Sequence, residues 1–342
     1  MVEQRGKFVV VGNMTTPRTR HLAILLNDGR VLIAGGEVQV PEGYIGSGGQ
    51  MRSAEIYNPD TGKFTATGRM VFDHPMLAAV RLADGNVLFV GGPDAEIYDV
   101  REGRFEATGK PVAYLADSPP VLLKDGNVLA FGPDTSCELY FTKLQKFRET
   151  SHTHGTGVDN TILLPDGRAL MSVGRIGYDT FGSYFELFDP ETETFRVLKS
   201  PHAPTSRAFQ LDDGRIFFGS AFFHPADDTF TEATGFVRGY SVNSVALLQN
   251  GKLLIAGGAG SCSSPRNYGF GIIPAAVRAC IPPPPTAQAW WYDPQTQTQL
   301  EIEDMNVARS GQTATTLKDG SVLIAGGRNG QLIESSADLY VP

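Results

Sequence analysis

One phrase recurs seven times along the chain, and this repeat restricts the fold more than any other feature of the sequence. It consists of an apolar pair, a polar residue, Asp-Gly or Asn-Gly, another polar residue, and an apolar run that ends in small residues. The clearest copies are LLNDGRVLIAGG at 25–36 and TLKDGSVLIAGG at 316–327. The turn residues of the seven copies are Asp28, Asp84, Asp125, Asp166, Asp213, Asn250 and Asp319. Self-similarity at a spacing of about 40 residues predicts an array of similar small units.

Each copy of the phrase predicts a β-hairpin. Asp-Gly between two apolar, β-prone runs favours a type I′ turn, in which both central residues adopt positive φ. The flanking runs are short and rich in Val, Leu, Ile and Phe, as buried strands are. The closing Gly-Gly predicts that the second strand ends in a crowded place, close to the axis of the array.

A second phrase follows most copies and again has the pattern strand, polar turn, strand. It reads AEIYNPDTGKFTATG at 54–68 and AEIYDVREGRFEATG at 95–109, and weaker versions begin at Cys137, Phe185 and Ala289. The fifth repeat matches the second phrase least well, and its third and fourth strands are expected within 222–233. Each repeat therefore predicts four antiparallel strands in about 40 residues, which is the size of a propeller blade.

The two ends of the chain complement each other. The last repeat stops after its third strand, at 337–342, and GKFVVVGNM at 6–14 matches the fourth-strand text GKFTATGRM at 62–70. We therefore expect the N-terminal strand to complete the seventh blade, which removes an open sheet edge. An open solenoid, the alternative, needs capping repeats at its ends. The sequence predicts an all-β fold, a single seven-bladed β-propeller over 1–342.

These residues resemble kelch repeats of the bacterial, galactose-oxidase-like propeller superfamily. The resemblance is carried by the DG-x-V-L-x-x-GG hairpins, by Tyr57-Asn58-Pro59 and Tyr292-Asp293-Pro294, and by the phrase from Arg18 to Ala23. It implies a kelch-type propeller. It leaves the activity open, because such propellers include oxidases, lyases, isomerases, sugar binders and protein-interaction platforms.

The sequence argues against radical-copper chemistry within that superfamily. The oxidases that the chain resembles use a Tyr-His doublet, a further His and a cysteine-crosslinked Tyr, and no Tyr in this chain is followed by His. His152 and His154 are copper ligands in type, but a lone His-x-His is weak evidence. We expect no metal and no cofactor.

Charge and hydropathy exclude other classes of partner. The formal net charge is -8, and the 29 basic residues form no run, so neither nucleic acid nor an anionic membrane surface is expected as a partner. No apolar run reaches the roughly 18 residues of a membrane span. The polar segment 1–7 has no apolar stretch of signal-peptide type, so an export signal is expected to be absent or already removed.

Two long insertions interrupt the repeats between the second and third strands, at 37–52 and 259–288, and a shorter one lies at 175–184. Antiparallel geometry puts all three on one face of the disc. Loops of this length are either functional or disordered segments without a role in binding. Cys262 and Cys280 lie in the second insertion, and a disulfide between them would indicate an extracellular or periplasmic protein. Reduced thiols in a cytoplasmic protein are the alternative. Cys137 is expected to be a small buried residue.

Candidate site residues come from counting back ten positions from each turn residue, which is expected to reach the start of each innermost strand. The count gives Arg18, His74, Leu115, Thr156, Ala203, Tyr240 and Arg309. The polar ones in neighbouring repeats (Tyr240, Arg309, Arg18 and His74) are predicted to meet at a channel mouth as catalytic residues. The predicted ligand-binding residues around them are His152, His154, Arg175 and Tyr178.

Such a cluster has three chemical interpretations. The arginines would grip a carboxylate, sulfate or phosphate. Alternatively, they would neutralise a uronate carboxylate while Tyr240 and a histidine act as base and acid in β-elimination, which is the reaction of a polysaccharide lyase. In the third interpretation they cap strand ends and pair with local carboxylates. The sequence favours an extracytoplasmic propeller that binds a carbohydrate or another polar or anionic ligand, with a lyase as the alternative. A protein-interaction platform that uses the long loops is the third candidate.

Overall fold

The structure, a computed structural model, describes residues 5–38, 50–74, 77–174, 184–200, 207–236, 245–259 and 284–342. The regular secondary structure in these ranges is entirely β: seven four-stranded antiparallel sheets and one two-stranded hairpin. No helix of the described chain is long and apolar enough to span a membrane. The predicted all-β propeller with seven blades of four strands is confirmed.

Every blade has the order a-b-c-d from the channel outwards. The innermost strands, a, are β2 (Leu22–Leu25), β6 (Ala78–Arg81), β10 (Val121–Leu122), β14 (Val158–Leu163), β18 (Phe209–Gln210), β22 (Val245–Leu247) and β26 (Thr313–Thr316). The second strands, b, are β3 (Val31–Ala34), β7 (Val87–Val90), β11 (Val128–Phe131), β15 (Ala169–Val173), β19 (Ile216–Phe217), β23 (Leu253–Gly258) and β27 (Val322–Ala325).

The outer half of each blade comes from the second phrase. The third strands, c, are β4 (Ala54–Asn58), β8 (Ala95–Asp99), β12 (Cys137–Phe141), β16 (Tyr184–Asp189), β20 (Ala221–His224), β24 (Thr286–Asp293) and β30 (Ala337–Val341). The outermost strands, d, are β5 (Lys63–Ala66), β9 (Arg104–Ala107), β13 (Lys146–Glu149), β17 (Thr194–Leu198), β21 (Thr229–Glu232), β25 (Thr298–Glu301) and β1 (Lys7–Val10). A small hairpin, β28 (Arg328–Asn329) and β29 (Leu332–Ile333), lies between β27 and β30.

The N-terminal strand closes the ring. β1 pairs antiparallel with β30, with Lys7 opposite Val341 and Val10 opposite Asp338. The ring of Phe8 packs on that of Tyr340 at a centroid distance of 5.1 Å. The complementary ends of the sequence therefore meet in one sheet, as predicted.

The core consists of one apolar cluster at each junction between blades. The described residues form seven such clusters, each with side chains from two neighbouring blades. At the junction of blades 1 and 2, Leu32 and Ala34 of β3 meet Val87 and Phe89 of β7. Because every blade has an apolar partner on both sides, the second strands are buried on both faces, which explains their unbroken apolar runs.

The Asp-Gly turns differ from the predicted type I′ geometry. Gly29 has a φ of 95°, whereas Asp28 is not among the residues with positive φ. The Gly29 N–H donates to the Leu26 carbonyl, and the Leu26 N–H donates to the Arg30 carbonyl, which is the pattern of a three-residue loop with a glycine bulge. Asp28 Oδ1 accepts the N–H of Arg30 at 3.0 Å. The turn residue is therefore selected for this side-chain bond, and all seven copies make it.

The turns between strands c and d contain left-handed residues. Blades 1 and 2 have Gly62 and Gly103 there, with φ of 64° and 67°. Blades 3 to 6 place non-glycine residues in the same conformation, namely Gln145, Glu193, Asp228 and Gln297. These four positions hold local strain, because a Cβ makes this region of φ unfavourable.

Gln145→Gly should raise the free energy of unfolding by about 0.5–1 kcal/mol, because relief of the left-handed strain exceeds the extra chain entropy of glycine. Gln145 is exposed and has a φ of 50°. Urea denaturation measures the change. Gly62→Gln is the matched control, since open space surrounds the site of its Cβ, and it should shift stability in the opposite direction. A less stable Gln145→Gly protein would contradict the assignment of strain.

Candidate functional site

The two faces of the disc differ. We call the face with the b–c connections the upper face and the face with the a–b turns the lower face. On the lower face, a cleft of about 350 Å³ is lined by the a–b and c–d turns of blade 1, including Asp28 and Asp60, and by Lys318 of blade 7. Both kinds of turn therefore share this face, opposite the b–c connections.

Side chains of the a–b turns connect neighbouring blades around the lower mouth. Gln249 Nε2 donates to the Lys318 carbonyl at 3.0 Å, and the Lys318 ammonium donates to the Asn27 carbonyl. Arg81 Nη1 donates to the Leu25 carbonyl at 2.6 Å. These hydrogen bonds join neighbouring blades, so these polar groups of the lower mouth are already engaged in contacts that stabilise the ring.

Arg18 lies inside blade 1. Its side chain is wholly buried, and Nη1 donates to the carbonyls of Gly35 at 2.8 Å and Ser53 at 3.0 Å. Nη2 donates to Glu55 Oε1 at 2.7 Å. Desolvation lowers the pKa of Arg18, and the charge of Glu55 opposes that change. The guanidinium thus joins the upper ends of strands b and c.

Arg309 repeats this arrangement in blade 7. It is wholly buried, and Nη1 donates to the carbonyls of Gly326 at 3.0 Å and Ser336 at 2.8 Å. Nη2 donates to Asp338 Oδ2 at 3.2 Å. Desolvation lowers the pKa of Arg309, opposed by Asp338. Two blades thus place the same cation against a carboxylate near the start of strand c.

Two histidines hold comparable positions in blades 2 and 4. His74 is buried, with Nδ1 2.8 Å from the Gly91 carbonyl and Nε2 2.7 Å from Glu96 Oε1. His154 lies 3.0 Å, through Nδ1, from Glu186 Oε2, but its side chain is 54% exposed. Blade 3 has Leu115 at this place, and its carboxylate, Glu138, accepts the N–H groups of Val112 and Ala113 at 2.9 and 2.6 Å instead, while burial raises its pKa.

The predicted site residues therefore separate into three groups. Arg18, His74 and Arg309 make bonds within their own blades, so the described contacts favour the strand-end interpretation and their catalytic role stays a prediction. His152 and His154 are exposed on the upper face, with His152 Nδ1 3.4 Å from Thr135 Oγ1. The remaining residues, Tyr240, Arg175 and Tyr178, lie outside the described residues, as do Cys262 and Cys280.

The counting rule is wrong in one respect. The position ten residues before a turn precedes the innermost strand, because β2 begins at Leu22 and β26 at Thr313. Its side chain turns outwards, between the upper ends of strands b and c. The chain reaches the channel a few residues later, and that offset explains why the rule selected internal residues.

Four exposed, charged side chains lie at that later level, and we call them the mouth residues. They are Arg20, Asp117, Asp159 and Arg207, from blades 1, 3, 4 and 5. Each lies at, or a few residues before, the upper end of the innermost strand of its blade. Each of them stands six to eight positions before its turn aspartate. A count of ten positions passes over them, because the innermost strands begin later than that count assumes.

Arg20 and Asp159 are presented by unusual backbone. Arg20 has a φ of 54°, and its side chain is 73% exposed, 3.3 Å from Glu37 Oε1. Asp159 falls at a register shift between β14 and β15, where Val158 and Asn160 pair but Asp159 does not. A bulge re-aims the side chain of the extra residue.

The electrostatics of the mouth vary around the ring. Burial raises the pKa of Asp159, and the negative charge of Asp117 raises it further. Desolvation lowers the pKa of Arg207 in blade 5. Blades 3 and 4 therefore present a pair of interacting carboxylates.

Stability should fall as the solution is acidified because of His21, a buried residue between blades 1 and 7. Desolvation, followed by the charge of Arg18, lowers the pKa of His21 to about 3. Below about pH 6.5 the imidazole of His21 is protonated in the unfolded chain but stays neutral in the folded chain. Protonation of His21 in the unfolded chain therefore lowers the free energy of unfolding by about 1.4 kcal/mol between pH 7 and 5.5.

His21→Gln should flatten that dependence in denaturant titrations at the two pH values. His224→Gln is the control, since that histidine is half-buried on a third strand and its side chain bonds to Thr231 Oγ1 at 2.9 Å, away from the blade junction. An unchanged pH slope in His21→Gln would show that other groups cause the acid sensitivity.

Comparison with known proteins gives a structural likeness without a sequence family. No family profile matches the chain, and no curated protein matches it. One similar solved structure is that of a novel fungal alcohol oxidase with catalytic diversity among the AA5 family, in complex with copper. The TM-score is 0.74 at 13% identity, over 99% of this chain and 77% of the other. At this identity the likeness supports the β-propeller fold and nothing finer.

Copper does not fit the described residues. Within them, no group of three or more His, Cys, Asp or Glu side chains is arranged to hold a metal ion. The nitrogens of His74 face the Gly91 carbonyl and Glu96, and His21 Nε2 faces Thr313 Oγ1 at 3.0 Å. Cys137 is buried, and burial raises its pKa to about 12, so it is no ready thiolate ligand.

Proposed function

We propose that this protein binds a polar ligand of carbohydrate type at the upper mouth of its channel. The observation that carries this proposal is the set of mouth residues, four charged and exposed side chains at or just before the starts of the innermost strands of blades 1, 3, 4 and 5. Binding sites are concave and contain a few convergent polar groups. Carboxylates accept hydrogen bonds from hydroxyl groups, and guanidinium groups donate them, so this set suits a ligand rich in hydroxyls.

The connections between blades support the upper mouth over the lower one. The chain between β3 and β4 and the chain between β23 and β24 both leave and re-enter the disc on the upper face. The hairpin of β28 and β29 lies on the same side. The lower mouth has only short turns, whose side chains already connect the blades.

The geometry favours binding over elimination. A lyase of the kind considered above needs Arg18, Arg309 and a histidine to reach the substrate. In the structure both arginines are wholly buried and bonded to carbonyl and carboxylate oxygens of their own blades. Binding by the mouth residues requires no rearrangement of these internal pairs. An extracytoplasmic location is part of the proposal, and a disulfide between Cys262 and Cys280 would support it.

A glycan array followed by titration calorimetry tests the proposal. Asp117→Asn and Asp159→Asn should each weaken the binding of the best glycan at least about 10-fold, since hydrogen bonds to charged groups contribute about 1.5–3 kcal/mol. Asp60→Asn, an exposed change in the lower-face cleft, is the matched control and should leave affinity unchanged. Binding that is insensitive to both mouth variants, or lost in Asp60→Asn, would sink the proposal.

A further inference from the structure

Tyr57, near the end of β4, differs from the tyrosines at the same place in other blades. In blade 2 the hydroxyl of Tyr98 lies 2.7 Å from the hydroxyl of Thr67, the residue that follows β5. Three further blades also supply a partner to this hydroxyl, at Tyr140, Tyr292 and Tyr340. Val11 follows β1 as Thr67 follows β5, but its side chain has no polar atom. Among the described residues no group bonds to the hydroxyl of Tyr57, although the residue is 0% exposed, and such a group is costly unless a ligand pairs with it.

The lower-face cleft lies beside Tyr57. Residues 58–60, directly after Tyr57, line it from blade 1, and Leu317 and Asp319 line it from blade 7. Tyr57 and Leu317 belong to one apolar cluster at this blade junction. Burial raises the pKa of Tyr57, and the charge of Asp319 raises it further, so the two groups interact electrostatically. The cleft volume of about 350 Å³ is that of a small ligand site.

Two carboxylates of the cleft have oxygen atoms available to a ligand. Asp319 accepts the N–H and the hydroxyl of Ser321 through Oδ1, at 3.0 and 2.6 Å, and no described group bonds to its Oδ2. Asp60 uses only its backbone N–H, which donates to Asn58 Oδ1 at 2.9 Å, and within the described chain its carboxylate has no partner. The two aspartates come from blades 1 and 7, so acceptors line the cleft from both of its blades.

The two cations that line the cleft already have partners. Arg30 Nε donates to Asp28 Oδ2 at 2.7 Å, so these two charges offset each other. The ammonium of Lys318 donates to the Asn27 carbonyl of the neighbouring blade. Three aspartates against one arginine and one lysine leave the lining with one net negative charge. A cationic ligand is therefore favoured over an anionic one.

We propose that the lower-face cleft binds a primary alkylammonium group, which donates to Asp60, Asp319 and the hydroxyl of Tyr57. A primary ammonium has three N–H donors, and these three acceptors match it in number. The alkyl chain lies against Leu317 and Pro59, the apolar residues of the lining. This site is on the face opposite the channel mouth and does not depend on the ligand proposed there.

Saturation-transfer NMR titrations with n-butylammonium chloride and 1-butanol test the proposal. Butylammonium should bind at least about 10-fold more tightly, because hydrogen bonds between charged groups are stronger than neutral ones. Asp60→Asn and Asp319→Asn should each weaken butylammonium about 10-fold and leave 1-butanol within about 2-fold. Asparagine keeps the Oδ1 acceptor that the a–b turn needs, as Asn250 does in blade 6.

The hydroxyl of Tyr57 is tested by a pair of matched variants. Tyr57→Phe should weaken butylammonium by about 2- to 10-fold at an unchanged melting temperature, because the hydroxyl has no bond to lose in the free protein. Tyr98→Phe removes a hydroxyl that is bonded to Thr67, so it should lower the melting temperature and leave butylammonium affinity unchanged. The opposite pattern would contradict the role of Tyr57 in binding.

Further controls define the ligand. Glu191→Gln changes the carboxylate at the place of Asp60 in blade 4, and it should leave both affinities unchanged. Nα-acetyl-lysine amide distinguishes the sources of the group: weaker binding than butylammonium indicates a free amine, and tighter binding indicates a lysine side chain of another protein. Equal displacement of butylammonium by Na⁺ at the same concentration would overturn the proposal. So would unchanged affinity in Asp60→Asn and Asp319→Asn at wild-type melting temperatures.

Discussion

Arg18→Met should lower the free energy of unfolding by about 3–5 kcal/mol, because it removes one partner of a buried ion pair and leaves the other charged. The side chains of Arg18 and Glu55 are 0% and 1% exposed. The substitution also removes the donor to the Gly35 and Ser53 carbonyls. Guanidinium chloride denaturation of the purified protein measures the loss.

A double variant and a surface control sharpen this test. Arg18→Met combined with Glu55→Met should lose clearly less stability than Arg18→Met alone, since no buried charge is left without a partner. Arg20→Met changes an arginine two positions away whose side chain is 73% exposed, and it should cost less than about 0.5 kcal/mol. If Arg18→Met and Arg20→Met lowered the free energy of unfolding equally little, the ion pair of Arg18 with Glu55 would not stabilise the blade.

Gly326→Ala should cost about 2–5 kcal/mol, since it combines left-handed strain with overpacking. Gly326 has a φ of 63°, and a Cβ there would lie 2.5 Å from the Arg18 carbonyl oxygen and 2.8 Å from His21 Cε1. Both neighbours belong to blade 1, so the second strand of blade 7 ends against the next blade without room for a methyl group. Thermal and chemical denaturation report the loss.

Gly330→Ala separates strain from crowding. Gly330 has a φ of 61°, but a Cβ there meets nothing within 4 Å. Its substitution should therefore cost about 1 kcal/mol, the strain alone. Equal losses in the two variants would mean that the close approach of blades 7 and 1 is unimportant, and the explanation of the Gly-Gly pattern would fail.

The sequence predicts the architecture because the repeat is periodic and its chemistry is local. Six Asp-Gly hairpins, one Asn-Gly hairpin and two complementary ends are enough to derive blade number, strand order and ring closure. The turn type was wrong because Asp28 caps the Arg30 N–H with its side chain, and the same Asp-Gly pair suits two loop lengths. Dipeptide preference alone does not distinguish them.

The site was harder to derive because it depends on offsets of a few residues. Arg18 and Asp117 stand two positions apart in their blade registers, yet one is buried and the other is exposed. Asp159 reaches its place through an unpaired position in β14. Neither a buried carboxylate partner nor a bulge has a signature in a single sequence, so residue type and spacing identified the level of the channel mouth but not its side chains.

The pairing of β1 with β30 also sets an order of events during synthesis. The hydroxyl of Tyr340 donates to the carbonyl of Arg5, 335 positions away in the chain. The four strands of each of blades 1 to 6 are consecutive in the sequence. Each of these blades is therefore complete soon after its own segment has left the ribosome. β1 precedes every other described strand and β30 follows them, so the last blade is assembled only after the other six have been synthesised, and joining such distant segments is a slow step in folding.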